Sequence, residues 1–339
     1  MTRLIFALLY LGVTTSVLAV PTDELLDRIT KHVVKVHVTL ANGSYGSGSG
    51  VVIAKDQIVT NCHVVANAVG ISVGAGGKPY KATAITPDWY HDVCLVKVDG
   101  LNAPIATIGS SKNLQYEQPV FAIGYPNVST TPSSTFGYVK GLFPMDNSVI
   151  VRTSSTFRLG SSGGGVFDDA GNLVGVITLK SPGKHAYYYN MPVEWVQALL
   201  EQPEQAITAE AHPAFWAGPA DKWPFFMQVV HPYLTEDWPS LISIAKKWAD
   251  QEPNNTEAWF YLAAAEYSIK DRQSAETHLR KVATMNAQHS QAIYYLALIA
   301  EDSGKHMEAM INIALLTTLD SDAATQLRTV ISDKQLGLH

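Results

Sequence analysis

The chain has 339 residues, more than one compact core usually accommodates, so two domains are the first expectation. Hydrophobic residues make up 47% and charged residues 16%, a balance that fills sizeable cores and excludes a disordered chain. A net charge of -6 without a long basic run offers no field for phosphate backbones, which argues against nucleic acid as a partner.

Residues 1–19 read as an export signal, with Arg3 as the positive start, an apolar stretch from Leu4 to Val13, and the small-residue cleavage site Val17-Leu18-Ala19. A transmembrane anchor is the competing reading, but the apolar stretch is too short for a hydrocarbon core of about 30 Å. Cleavage would release a mature chain from about Val20 into a periplasm or the exterior, with no later segment able to span a membrane. Pro21 to Lys31 predicts a short helix capped by Thr22, with Leu25, Leu26 and Ile29 on one face. From Val33 to about Met191 the style changes. Short runs rich in Val, Ile, Thr and Tyr alternate with Gly, Pro, Asn and Asp, as in Val33–Val38, Gly50–Ala54, Val93–Val98, Val149–Val151 and Leu173–Leu179. That pattern predicts an all-β barrel or sandwich.

Pro192 to Leu200 is amphipathic and predicts a helix closing the β domain. Residues 201–221, with Pro203, Pro213 and Pro219, read as a linker, although Phe215 and Trp216 have the apolar area to dock on a domain. From Lys222 onward the sequence matches itself at an offset of 34. Thr256 to Ala263 lies over Ser290 to Ala297, Ala275 lies over Ala309, and 222–255 follows the same rhythm, with Leu241 in its second half and Pro253 near its end. These residues resemble tetratricopeptide repeats, in which small residues such as Ala263, Ala297, Ala275 and Ala309 let helices approach closely. A helical bundle without a true repeat is the alternative.

The chemistry centres on Gly160-Ser161-Ser162-Gly163-Gly164-Gly165, between two strand-like runs. Glycines beside a serine let a substrate backbone approach the hydroxyl while backbone N–H groups converge. Alone, such a loop is more often a hairpin turn. Two upstream residues give it partners: His63 ends an apolar strand in Ile58 to Val65, and Asp92 starts another in His91 to Val98. A carboxylate beside a buried strand needs a donor such as an imidazole N–H, although each residue by itself has a bland reading as a surface histidine or a turn cap.

Together the three segments resemble the trypsin-like serine proteases of the bacterial heat-shock type, and the order His63, Asp92, Ser162 is that of the chymotrypsin-type triad. The resemblance runs from about Val33 to Leu200 and includes Gly46-Ser47-Gly48-Ser49-Gly50. It implies a double-barrel all-β protease domain over 20–200, followed by the linker at 201–221 and an all-α repeat domain at 222–339. It further implies Ser162 as nucleophile, His63 as base, Asp92 as orienting carboxylate, and the Gly160 and Ser162 amides as oxyanion hole. Ser161 and Gly165 depart from the usual Asn and Pro of the motif without removing a reacting group. Thr156, six residues before Ser162, takes the position at the floor of the specificity pocket. With no carboxylate there, a modest apolar side chain rather than Lys or Arg is expected at the cleavage site. Arg158 is a second candidate in that segment, for orienting the oxyanion loop.

If the triad assembles, Cys62 and Cys94 become neighbours, and a disulfide between them is the expectation in an oxidising compartment, with two buried free thiols as the alternative. Scattered histidines argue against a metal, and no phosphate-binding glycine loop is present, so no cofactor is expected. The chain thus reads as an exported serine endopeptidase acting on protein or peptide substrates, with a second protein at the repeats. A catalytically silent platform for a repeat-based adaptor is the other reading.

Overall fold

The structure is a computed structural model and describes residues 22–127, 129–181 and 186–335. The export signal read at 1–19 lies outside the described residues. Helix α1 (Asp23–Thr30) opens the described chain, and its cap forms as the sequence predicts: the Leu25 N–H donates to Thr22 Oγ1 at 3.2 Å.

Two closed six-stranded antiparallel barrels follow. The first orders its strands β1-β2-β3-β6-β5-β4 and comprises β1 (Val33–Leu40), β2 (Tyr45–Ala54), β3 (Gln57–Thr60), the one-turn helix α2 (Cys62–Val65), β4 (Ala68–Ala75), β5 (Lys78–Asp88) and β6 (Val93–Val98). The second orders them β10-β11-β12-β9-β8-β7, from β7 (Pro119–Gly124), β8 (Ser133–Met145), β9 (Ser148–Thr153), β10 (Gly165–Asp168), β11 (Leu173–Lys180) and β12 (Tyr188–Pro192). Alternation decides which face is inside. Val34, Val36 and Val38 of β1 enter the first core with Ile71, Val73 and Val96, while Lys35 and His37 turn outward. The second barrel fills with Val120, Val139, Val151, Val166 and Ile177. Val51, Val59 and Leu95 of the first barrel and Phe121, Ile123 and Leu173 of the second belong to one buried apolar cluster, which joins the two barrels.

Helix α3 (Val193–Leu199) closes the β domain, burying Val193, Trp195, Val196 and Leu199. The chain from 201 to 221, read from composition as a linker, is bound along the first barrel. Ile85 and Gln205 exchange backbone hydrogen bonds of 2.9 and 2.7 Å, the Asn67 N–H donates to Glu210 O at 2.8 Å, and the Phe215 N–H to Tyr90 O at 3.0 Å. Burial of Ala214 and Phe215 supplies the apolar anchor.

The helical region comprises α4 (Phe225–Gln228), α5 (Val230–Leu234), α6 (Trp238–Gln251), α7 (Thr256–Ser268), α8 (Arg272–Met285), α9 (Ser290–Asp302), α10 (His306–Leu319) and α11 (Ser321–Gln335). Helices α6, α8 and α10 begin at 238, 272 and 306, and the turns before them place Glu236, Lys270 and Gly304 at φ 58°, 71° and 71°. The offset seen in the sequence is therefore also present in the backbone. Ala263, Ala275, Ala297 and Ala309 are all buried. Before α6 the helical chain is broken into the two short helices α4 and α5. Pro232 lacks an N–H and its ring opposes the carbonyl four residues earlier, at Gln228, where α4 ends.

The helices pack on the second barrel as one continuous core. Phe226 of α4 stacks on Phe143 of β8 with ring centroids 4.6 Å apart and lies 5.5 Å from Tyr189 of β12.

Candidate active site

Strand β3 pairs with β6 in a register that sets Thr60 opposite Cys94, so the residues just past the end of β3 and just before β6 meet at the cleft. His63 follows on α2 and Asp92 immediately precedes β6. Asp92 is 1% exposed and accepts twice from one partner: the His63 N–H donates to Oδ1 at 2.8 Å, and the ring Nδ1 lies 2.6 Å from Oδ2. That double grip fixes both the position and the plane of the imidazole. The backbone of Asp92 sits at φ 59°, a conformation Asp tolerates better than most residues, and its carbonyl accepts from Asn61 Nδ2 at 2.9 Å. Cys62 and Cys94 form a disulfide, with Cα atoms 4.9 Å apart, that ties the histidine helix to the aspartate strand.

The nucleophile loop is held by close backbone packing. Gly160 has φ 94°, and a Cβ there would run into Asn127 and the Tyr125 carbonyl; Gly163 has φ 85°, and a Cβ there would strike the Ser49 carbonyl and Thr60. Larger residues at these two positions would displace Ser162. Ser49 of β2 stitches the loop to both barrels: its Oγ donates to Gly160 O at 2.8 Å and accepts the Tyr125 N–H at 2.7 Å, and its N–H donates to Ser162 O at 2.8 Å. Among the described residues, the Gly160 and Ser162 amides find no acceptor, so both donors remain free at the loop.

Ser162 Oγ donates weakly to the Thr178 carbonyl at 3.4 Å rather than to His63, whose Nε2 has no hydrogen bond among the described residues. The two halves are nevertheless joined, because Asn61 Nδ2 donates both to the Asp92 carbonyl and to Thr178 Oγ1. His63 and Asp92 are brought into direct contact; Ser162 reaches them through Thr178 and Asn61. A fixed imidazole, a hydroxyl on a glycine loop and two free amides are suited to nucleophilic acyl transfer.

Thr156 is exposed and its carbonyl accepts from Thr135 Oγ1 at 2.6 Å. It lines a cavity of about 580 Å³ with Arg152, Tyr187 and Tyr188 of the second barrel and Tyr233, Tyr294 and Tyr295 of the helices. This cavity is walled by the helical region as well as by the second barrel, and His63, Asp92 and Ser162 do not line it. Arg158 is exposed, and its carbonyl accepts the Ser161 N–H at 3.0 Å.

Behind this cavity lies a buried charge network. Arg152, 3% exposed, donates to Tyr261 Oη at 2.8 Å and stands 3.7 Å from Glu257 Oε2. Glu257 Oε1 accepts from Tyr116 and from His289 Nε2; the Ala292 N–H donates to His289 Nδ1, which places the ring proton on Nε2. Burial pushes the Glu257 carboxyl up, but Arg152 and the His289 and Tyr116 hydrogen bonds outweigh it and hold the group below the usual glutamate range. Burial likewise pushes the Tyr187 phenol up to about 12.

The Trp216 ring stands edge-on to the His63 ring, with centroids 5.8 Å apart and an interplanar angle of 84°. Sequence reasoning noted Trp216 only as a docking residue and passed over Asn61, Thr178 and Arg152. Ser49 and Asn61 lay inside segments already singled out, whereas nothing local marks Trp216 or Arg152 as neighbours of the site.

Residues 48–176 match the sequence profile of the trypsin-like peptidase domain. The chain is 33% identical over 164 residues to a protein of Halomonas elongata named as a probable periplasmic serine endoprotease, DegP-like, covering 46% of this chain and 34% of that protein. A protein of the same name from Pseudomonas fluorescens is 35% identical over 156 residues, covering 43% and 33%. The chain therefore spans about a third of the length of these relatives. Among solved structures, an active-form protease from M. tuberculosis superposes with a TM-score of 0.50 at 22% identity, covering 55% of this chain and 88% of that one. The β domain has the trypsin-like serine protease fold, and a helical region follows it.

Proposed function

We propose that the protein is a serine endopeptidase in which Ser162 Oγ attacks a peptide carbonyl, His63 takes the proton and returns it to the leaving amine, and Asp92 fixes the ring tautomer. The Gly160 and Ser162 amides would stabilise the tetrahedral oxyanion. The observation that carries this reading is the buried Asp92 carboxylate gripping both the ring and the backbone of His63 beside a glycine loop with free amides. In this reading the Ser162 hydroxyl, which donates to Thr178 O in the structure, turns toward His63 for the attack. Thr156 at the floor suits a modest apolar residue at the cleavage position.

The domain reading that best accounts for the chain is a protease over 20–200 joined through 201–221 to tetratricopeptide-like repeats at 222–339 that recruit a substrate or partner protein. The 34-residue spacing of α6, α8 and α10 supports the repeats, and the exposed apolar stripe Met307, Met310, Ile311 and Leu315 on α10 supports a protein partner. The signal read at 1–19 and the Cys62–Cys94 disulfide support a periplasmic or secreted location.

Active-site labelling with a fluorophosphonate tests the chemistry. Modification confined to Ser162, and lost in Ser162→Ala while the fold persists, is the expected result. An unlabelled, well-folded wild-type protein would favour the silent platform and overturn the endopeptidase reading.

A further inference from the structure

Helices α7 and α9 begin 34 residues apart, so Glu257, Phe260 and Tyr261 of the first correspond to Gln291, Tyr294 and Tyr295 of the second. On α7 all three are buried, and Glu257 and Tyr261 hold Arg152 of β9. On α9 the three counterparts remain partly exposed and line the cavity of about 580 Å³ between the helices and the second barrel. The face that α7 covers with a strand of its own chain is therefore open one step along.

The charges around this cavity are already paired. Arg152 faces Glu257, and Lys140 bonds Glu117 at 2.6 Å and Asp320 at 2.7 Å, so a charged guest would find no counter-ion. Where α7 carries the carboxylate of Glu257, α9 carries the uncharged amide of Gln291. The Tyr188 and Tyr294 hydroxyls, Gln291 Nε2 and the Gln326 amide line the cavity without a hydrogen-bond partner among the described residues. The volume lies in the range of sites that hold a small ligand. Amides and phenols together suit the backbone of a peptide and an aromatic side chain. We propose that this cavity is a docking site for an uncharged segment of another polypeptide, whose aromatic side chain packs on Tyr188 and Tyr294 while its backbone bonds the Gln291 and Gln326 amides. A polypeptide is favoured over a sugar because the equivalent face of α7 already holds one, strand β9. The proposal rests on the reading that the helices recruit a protein and gives that recruitment a place; it does not depend on the chemistry of Ser162.

The test uses the full chain carrying Ser162→Ala, so that no peptide is cleaved, and calorimetric titration with capped pentapeptides that are glycine except for a central Phe, Ala or Glu. The Phe peptide is expected to saturate one site, with the Ala and Glu peptides weaker by on the order of tenfold. Adding Ala323→Trp, which fills the cavity from α11, or Tyr294→Ala, which removes its aromatic wall, should each weaken the Phe peptide by a similar factor. The second variant keeps the test open if the first does not fold. Equal affinity for the Phe and Glu peptides, or saturation by maltotriose in place of the peptides, overturns the proposal. So does a changed preference at the cleavage-site residue when Ala323→Trp is placed in the otherwise wild-type chain, because the cavity would then be the cleavage pocket. Binding that survives both variants but is lost in Met310→Glu on α10 overturns the cavity site and leaves recruitment by the helices standing. Absence of saturable binding by any peptide defeats both.

Discussion

At Asp92 one carboxylate does two jobs, because Oδ1 receives the His63 backbone N–H while Oδ2 receives the ring. An Asn there has one acceptor oxygen for two donors, so Asp92→Asn either flips the ring tautomer or strands a backbone N–H. We expect a fall in kcat of roughly 10⁴-fold, with a loss of stability of about 1–3 kcal/mol from the unpaired donor. Steady-state kinetics and urea unfolding of the same preparation measure the two; full activity in Asp92→Asn would remove the carboxylate from the mechanism. The residues legible in the sequence were those whose type and order carry meaning, namely His63, Asp92 and Ser162. Asn61 and Thr178, which link Asp92 to Ser162, have no such signature, because any short polar pair in the right place makes the same bonds.

Among the elements, the loop from the end of β5 to the start of β6 carries more than the aspartate. His91 bonds Asp88 through Nδ1 at 2.6 Å and Asp146, in the β8–β9 turn, through Nε2 at 3.0 Å, and it stacks on Trp195 of α3 at 3.9 Å. Burial lowers the affinity of the ring for its proton, but the hydrogen bonds to Asp88 and Asp146 outweigh it and raise the group above 6.5. Burial raises Asp88, but its bonds from His91 win and hold it below 3.8. A raised histidine contributes stability that is complete below its unfolded value and is lost as pH rises through the folded value; a depressed aspartate contributes above its unfolded value and loses it as pH falls. The melting-temperature gap between wild type and His91→Gln should therefore be widest between about pH 4 and 6.5 and narrow as pH climbs beyond that range. A gap that widened above neutrality would contradict a paired imidazolium. The disulfide acts on the same loop, and closing 32 residues is worth about 4 kcal/mol in the chain-entropy account.

For the whole molecule, the joint core between the second barrel and the helices makes Arg152 of β9 and Glu257 of α7 interdependent. Removing one partner leaves a buried charge without compensation, so Arg152→Met or Glu257→Gln alone should cost roughly 3–5 kcal/mol, and the double variant should recover most of it. Guanidinium unfolding midpoints measure this; additive losses would mean the two charges do not interact. Because Arg152 and Thr156 line one cavity, activity of the same variants on peptides tests whether that cavity takes the cleavage-site side chain, as proposed for Thr156. The sequence by itself determined the periods, the turn chemistry and the order of His63, Asp92 and Ser162 along the chain, because alternation, glycine and proline placement and helical periodicity are local properties of the chain. Strands β1, β6 and β11 and helices α7 and α9 followed from them. Only the tertiary structure decided that the proline-rich stretch at 201–221 hugs the first barrel, that Trp216 stands beside His63, and that Arg152 is neutralised by a glutamate 105 residues away. Those outcomes depend on which surfaces meet when two cores bury their remaining apolar faces, and no local pattern encodes a partner so distant along the chain.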